Sequence, residues 1–197
     1  MLDQHRDWFK KVEIKIANIF AIFPITPNQY TAISIIFALV CAYQLFVGGY
    51  WLALAFFVLA AGMDFVDGAV ARKKNLSSPR GAYWDTVADR YVEVILLFGM
   101  LFVGLPDLYL PGFAWVFLAL FGSIMTTYAK AAAKEKGLLD VELKGGLMSR
   151  GERLIFLVAI LVFLNYSKIF AIHLFVLLSI LVNITALQRI AKALSGK

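Results

Sequence analysis

The chain has 197 residues, 61% of them hydrophobic and 16% charged, a balance that excludes an ordinary soluble domain of this size. Its one cysteine, Cys41, lies in an apolar run and excludes an internal disulfide. The net charge of +6 implies no nucleic-acid partner, because the lysines and arginines border apolar segments and suit anionic membrane lipids.

Residues 3–23 differ in kind from the rest of the chain. On a helical wheel Trp8, Val12, Ile16, Ile19, Phe20 and Phe23 share one face, while Asp7, Lys10, Lys11 and Asn18 occupy the other. The pattern predicts an amphipathic helix in the membrane plane, with its lysines toward headgroups and its aromatic face in the acyl boundary. A cleaved signal peptide is not expected, since the stretch has no uninterrupted apolar centre. The chain therefore divides into a juxtamembrane helix at 1–25 and a membrane domain at 26–197.

Pro24 and Pro27 punctuate the chain, and Thr26-Pro27-Asn28-Gln29 opens the first span with helix-start chemistry. Six apolar segments follow, at about 28–47, 51–71, 84–104, 112–133, 151–165 and 169–189, most near the roughly 20 residues a helical span requires. The expected fold is an all-α integral membrane protein of six transmembrane helices. Tyr43, Tyr50, Trp51, Tyr109 and Trp115 fall near span ends as an interfacial belt. Lysine and arginine concentrate before residue 28, at 72–83, at 130–150 and from Arg189 onward, whereas the alternate loops hold only Lys168. By the positive-inside rule both termini and the loops at 72–83 and 134–150 face the cytoplasm. The 134–149 stretch, with Gly137, Gly145 and Gly146, reads as a turn-rich loop whose Lys134, Lys136 and Lys144 are solvated. His5 and His173 lack the clustering of metal ligands.

Four carboxylates interrupt the apolar sequence between Asp64 and Asp89. Residues three or four apart share a helix face, so Asp64 and Asp67 point one way on one helix, as do Asp85 and Asp89 on the next. Four bare charges in or beside a bilayer are costly, and divalent cations are their natural partners. Oxygen ligands without histidine or cysteine suit a hard ion, Mg²⁺ first, with Mn²⁺ or Ca²⁺ as alternatives. Gly68 and Gly81 weaken their helices and mark close approach of a ligand or another helix. Ala71 extends the small surface by one turn, and Arg72 supplies a fork of donors suited to phosphate.

Together Asp64, Asp67, Gly68, Ala71, Arg72, Gly81, Asp85 and Asp89 meet the spacing D-x2-D-G-x2-A-R-x8-G-x3-D-x3-D, which resembles the signature of the CDP-alcohol phosphotransferase family. The resemblance implies a Mg²⁺-dependent, homodimeric membrane transferase with two ions, releasing CMP from a CDP-linked donor. It implies Asp64, Asp67 and Asp85 as metal ligands. Asp89 becomes the general base, also placed to touch the second metal. Gly68, Ala71, Arg72 and Gly81 would line the site for the donor's nucleotide and diphosphate.

A second constellation is cationic. Thr127 and Lys130 lie three apart in the fourth span, Arg150 and Arg153 enter the fifth, and Arg189 ends the sixth. Arg150 suits interfacial anchoring, whereas Thr127, Lys130, Arg153 and Arg189 fit a pocket that grips a phosphate. Thr127-Tyr128-Ala129-Lys130, Arg150-Gly151-Glu152-Arg153-Leu154 and Ala186-Leu187-Gln188-Arg189 are similar to stretches in inositol-phosphate-accepting members of the family. The expected reaction transfers a phosphatidyl-type group, diacylglycerol- or archaeol-linked, from a CDP-lipid to a phosphorylated polyol, inositol 1-phosphate before glycerol 3-phosphate. Serine as acceptor, and CDP-inositol or another soluble CDP-polyol as donor, are the alternatives. A cation transporter would use the aspartates as an ion path but leaves the glycine and arginine spacing unexplained.

Overall fold

The structure is a computed structural model that describes residues 13–138 and 146–195. Trp8, Lys10, Lys11 and Val12 of the expected amphipathic helix, His5, and Lys144 and Gly145 of the expected loop lie outside the described residues. The described residues form helices and no strand: α1 (13–20), α2 (Pro27–Phe46), α3 (Tyr50–Lys73), α4 (Pro79–Met100), α5 (Gly112–Glu135), α6 (Arg150–Leu164) and α7 (Lys168–Ser195). Each expected span falls on one of α2 to α7. Four of them, α2, α3, α5 and α7, are long and apolar enough to cross a membrane among the described residues. Of the other two, α4 carries Arg80, Asp85, Asp89, Arg90 and Glu93, and α6 has only 15 residues.

Helix boundaries differ most from the sequence reading at the start of α4 and the end of α7. Ser78 accepts a hydrogen bond from the Gly81 amide at 3.1 Å and Pro79 follows as the first helical residue, so α4 starts several residues before the apolar run at 84. At the other end of the chain α7 runs on to Ser195, so Arg189 sits inside the helix and does not end it.

Two units are distinguishable, one combining the described residues up to Val40 with Ala55–Ile95, the other combining Cys41–Leu54 with the residues from Leu96 on. In the first, Tyr30, Val66 and Val70 form a buried cluster against which Ile16, Phe20, Ile25, Ile33 and Met63 pack. The Tyr30 hydroxyl donates to the Phe20 carbonyl at 2.9 Å, and the two rings meet edge to face. The described part of α1 thus turns Ile16 and Phe20 inward, while Ile14 and Ile19 are exposed.

The end of α3 is fixed by local chemistry. The Leu76 amide reaches the Ala71 carbonyl at 2.9 Å, the Asn75 amide reaches that of Arg72 at 3.3 Å, and Asn75 takes φ of 55°. This is a Schellman closure with asparagine at its left-handed position. It ends α3 immediately after Arg72 and Lys73 and leaves a short connection to the Ser78 cap of α4.

In the second unit α5 packs on α7 through small and polar residues. A Cβ on Gly122 would meet Val182 Cγ2 at 2.5 Å, so only glycine allows this approach. Ser179 Oγ donates to the Trp115 carbonyl at 2.7 Å and Asn183 Nδ2 to the Leu118 carbonyl at 2.9 Å. α6 adds Leu157, Ile160 and Leu161, all buried, to the core that holds Phe175, Leu178 and Val182 of α7. Its start is a capping box: Glu152 Oε2 accepts from the Ser149 amide at 2.5 Å, and Ser149 Oγ from the Glu152 amide at 3.4 Å. Many outward residues, among them Ile36, Leu39, Phe113, Phe117, Ile169 and Phe170, are large and apolar, a surface suited to lipid.

Asn75→Val should lower stability by about 1–2 kcal/mol, because a β-branched residue resists the left-handed region, whereas Asn75→Gly should be nearly silent. Thermal unfolding of the three proteins in one detergent checks this. Equal midpoints for Asn75→Val and the parent would show that the turn does not set stability.

Candidate functional site

Two adjacent helices supply the carboxylates. Asp64 and Asp67 occupy the last turns of α3 before its closure at Asn75, and Asp85 and Asp89 occupy the second and third turns of α4. The carboxylate oxygens of Asp64, Asp85 and Asp89 lie within 4.8 Å of one another, and all three residues are half-buried. Asp67 is buried, 4% exposed, and accepts a hydrogen bond from the Thr31 hydroxyl of α2. Like charges this close repel unless a cation or a proton intervenes. Hard oxygen donors with no histidine or cysteine among them fit Mg²⁺ or Mn²⁺.

Asp67 and Asp85 also line a cavity of about 180 Å³. Gly68, Ala71 and Gly81 give it a small-residue wall, and Asn28, Ser77 and Ser78 add polar groups. Gly81 packs closely, since a Cβ there would lie 3.2 Å from Ser78 Oγ and 3.6 Å from Asn28 Oδ1. Arg72 lines the same cavity, with its guanidinium across Gly68: a Cβ on Gly68 would lie 3.3 Å from Nη1 and 3.5 Å from Nη2. Its Nε donates to Glu13 Oε1 of α1 at 2.6 Å. Immediately after Asp89, Arg90 Nη1 pairs with Glu93 Oε2 at 2.7 Å, and Glu93 is buried.

In the second unit two arginines converge. Arg153 of α6 is 2% exposed and donates from Nη1 to Thr126 Oγ1 at 3.0 Å. Arg189 of α7 donates from Nη1 to the Thr126 carbonyl at 2.7 Å. The residue that joins them is Thr126; the hydroxyl of the neighbouring Thr127 reaches the Ser123 carbonyl of its own helix at 3.5 Å. Lys130 lies one turn after Thr126 and is half-buried. The segment before α6 is held to α7, with the Met148 amide donating to Thr185 Oγ1 at 3.0 Å and the Leu147 amide to Gln188 Oε1 at 3.2 Å.

Sequence reasoning missed Thr31, Glu13 and Thr126. Thr31 carried a faint signal, lying one turn after Asn28 in an otherwise apolar helix. Glu13 and Thr126 carried none, because their roles exist only through contacts distant in sequence.

Comparison with known proteins bears on these groups. A family model described as CDP-alcohol phosphatidyltransferase matches residues 24–187. The chain is 32% identical over 195 residues to an archaetidylinositol phosphate synthase of Pyrococcus horikoshii, covering 98% of this chain and 96% of that one. It is 29% identical over 164 residues to a phosphatidylinositol phosphate synthase of Mycobacteroides abscessus, covering 78% and 70%. Among solved structures, phosphatidylinositol phosphate synthase of Mycobacterium tuberculosis with CDP-DAG bound superposes with a TM-score of 0.81 at 21% identity, over 93% of this chain and 94% of that one. The same enzyme in complex with manganese and citrate gives 0.82 at 23% identity, over 93% and 89%. At these identities the structural likeness is one of fold.

Asp64→Asn and Asp85→Asn should each weaken Mn²⁺ binding at least about tenfold, since even outer-shell changes at metal sites cost about 10–100-fold. Titration followed by electron paramagnetic resonance measures it, with the exposed Glu135→Gln as a silent control. Unchanged Mn²⁺ affinity in either aspartate variant would remove that residue from the ligand set.

Proposed function

The chain belongs to the CDP-alcohol phosphatidyltransferase family, and on that basis we propose that it transfers a lipid phosphate group from a CDP-linked lipid to inositol 1-phosphate, releasing CMP. The observation that carries the acceptor is the meeting of Arg153 and Arg189 at Thr126. Two guanidinium groups brought to one residue form an arrangement suited to a phosphate, which a neutral acceptor such as serine or inositol would not need. The relatives named as archaetidylinositol phosphate and phosphatidylinositol phosphate synthases support the same choice. Diacylglycerol and archaeol donors present the same diphosphate to the site.

In this reading the donor's cytidine enters the cavity walled by Gly68, Ala71 and Gly81, and the Nη groups of Arg72 hold its diphosphate. Asp64, Asp67, Asp85 and Asp89 would hold two hard divalent cations, Mg²⁺ or Mn²⁺, which would neutralise charge on the diphosphate. Arg153 and Arg189, assisted by Lys130 and Thr127, grip the acceptor's phosphate. Asp89 is the general base, removing the proton of the attacking hydroxyl as its oxygen bonds to the β-phosphorus and the bond to the CMP oxygen breaks. Thr31 fixes the Asp67 carboxylate by donating to it.

The membrane arrangement in this reading has six spans, α2 to α7, with α1 in the interface plane and both termini and the site on the cytoplasmic side. The distribution of lysine and arginine supports it. The charges of α4 serve the site, which accounts for its departure from an apolar span. α6, at about 22 Å from its 15 residues, is short for a core of about 30 Å and relies on its flanking segments. The working unit is a homodimer.

An acceptor screen with purified protein and one CDP-lipid tests the proposal. Inositol 1-phosphate should be preferred over glycerol 3-phosphate, serine and free inositol. Arg189→Ala and Arg153→Lys should each lower kcat/KM for the acceptor at least about tenfold, through loss of a charge-assisted bond or of the planar fork, with donor KM unchanged. Lys136→Ala should be silent. Efficient transfer to unphosphorylated acceptors would overturn the phosphate-pocket reading.

A further inference from the structure

The last turn of α3 grips the N-terminal segment with three consecutive side chains. Arg72 Nε donates to Glu13 Oε1 at 2.6 Å, Lys73 Nζ to Asn18 Oδ1 at 2.5 Å, and Lys74 Nζ to the Phe23 carbonyl at 3.1 Å. Ile16 and Phe20 anchor the same segment on Tyr30, Val66 and Val70. Of the three gripping residues only Arg72 lines the cavity that Asp67 and Asp85 also line. Among the described residues, the contact with Glu13 thus links α1 to the site.

We propose that Glu13 is a positioning residue for the donor site, holding Arg72 by Nε so that its two Nη groups are presented across Gly68 to the cavity. This rests on the reading that Arg72 meets the donor's diphosphate. The geometry favours positioning over competition. A carboxylate at Nε leaves Nη1 and Nη2, which lie over Gly68, as the edge available to phosphate oxygens. The side chain of Arg72 is 58% exposed and rich in rotamers, so without a tether it samples many orientations. Glu13, at 31% exposure and on a docked helix, restricts that freedom before the donor arrives. The juxtamembrane helix therefore belongs to the nucleotide site as well as to the membrane surface.

The test uses the full chain in lipid nanodiscs with Mg²⁺ and a CDP-lipid, comparing Glu13→Ala, Glu13→Gln, Arg72→Ala, the Glu13→Ala/Arg72→Ala double variant and Asn18→Ala. Arg72→Ala should raise donor KM at least about tenfold. Glu13→Ala should raise it about threefold to fivefold, as expected of a partly exposed ion pair, with kcat and acceptor KM unchanged. Glu13→Gln should recover part of the loss, because its amide oxygen still accepts from Nε. In the Arg72→Ala background Glu13→Ala should add nothing, since the residue acts only through Arg72. Asn18→Ala removes the neighbouring bond on the same helix and should leave donor KM alone. A raised KM for Arg72→Ala with none for Glu13→Ala overturns the role of Glu13 and leaves that of Arg72. Equal effects of Glu13→Ala and Asn18→Ala reduce the contact to helix docking and overturn it. A lowered donor KM in Glu13→Ala makes Glu13 a competitor and overturns it too. Unchanged KM in Arg72→Ala removes both readings together.

Discussion

Everything in the first unit depends on the need to hold like charges together at the ends of apolar helices. The oxygens of Asp64, Asp85 and Asp89 approach within 4.8 Å, where like charges repel. Nothing flexible holds such an arrangement. The chain places each aspartate on a regular helix and makes the connection short and determinate: a Schellman closure at Asn75 on one side, the Ser78 cap and Pro79 on the other. Position is then set by backbone geometry, and the repulsion is available to be relieved by a cation. Asp67 is buried with a hydroxyl donor from α2, so this carboxylate is fixed from a third helix.

Much of this was legible because helical periodicity is a local property. The spacing of Asp64 with Asp67 and of Asp85 with Asp89 fixes a shared face whatever the tertiary structure, and the apolar runs locate six helices for the same reason. The errors trace to weighing apolarity above capping chemistry. Ser78-Pro79 with the Gly81 amide marks the start of α4 more sharply than hydropathy does, and α7 continues past its apolar run through Arg189 and Lys192 because their long side chains do not interrupt a helix. Thr126 was hidden for another reason. Two adjacent hydroxyls on one helix point about 100° apart. Only the packing of α6 and α7 decides which of them meets the arginines, and no spacing within α5 contains that information.

The second unit meets a different demand, that of keeping guanidinium groups in a largely apolar surround. Arg153 is buried and bonded to a hydroxyl, while Arg189 is bonded to a carbonyl of the same residue, so a single turn of α5 serves as the reference point for both. That turn is held in turn by the tight approach of Gly122 to α7 and by Ser179 and Asn183, which give α5 carbonyls second donors. Thr185 and Gln188, further along α7, capture the amides of Met148 and Leu147 and so fix where the capping box of α6 begins. Arg153 comes one turn after that start.

Arg153 and Arg72 sit in different surroundings, and the difference bears on how each can fail. Arg153 is buried in a close-packed interface with a hydrogen bond to Thr126 Oγ1, where loss of a partner strands a charge away from water and the structure must rearrange. Arg72 instead depends on an exposed ion pair with a helix at the start of the chain, which is weak, screened by salt and adjustable without disturbing the core. A group that has to receive a charged ligand gains from such a tether, because orientation is supplied while the guanidinium keeps enough freedom to close on what it binds. Burying Arg72 as deeply as Arg153 would have fixed it but closed off access to the cavity it lines.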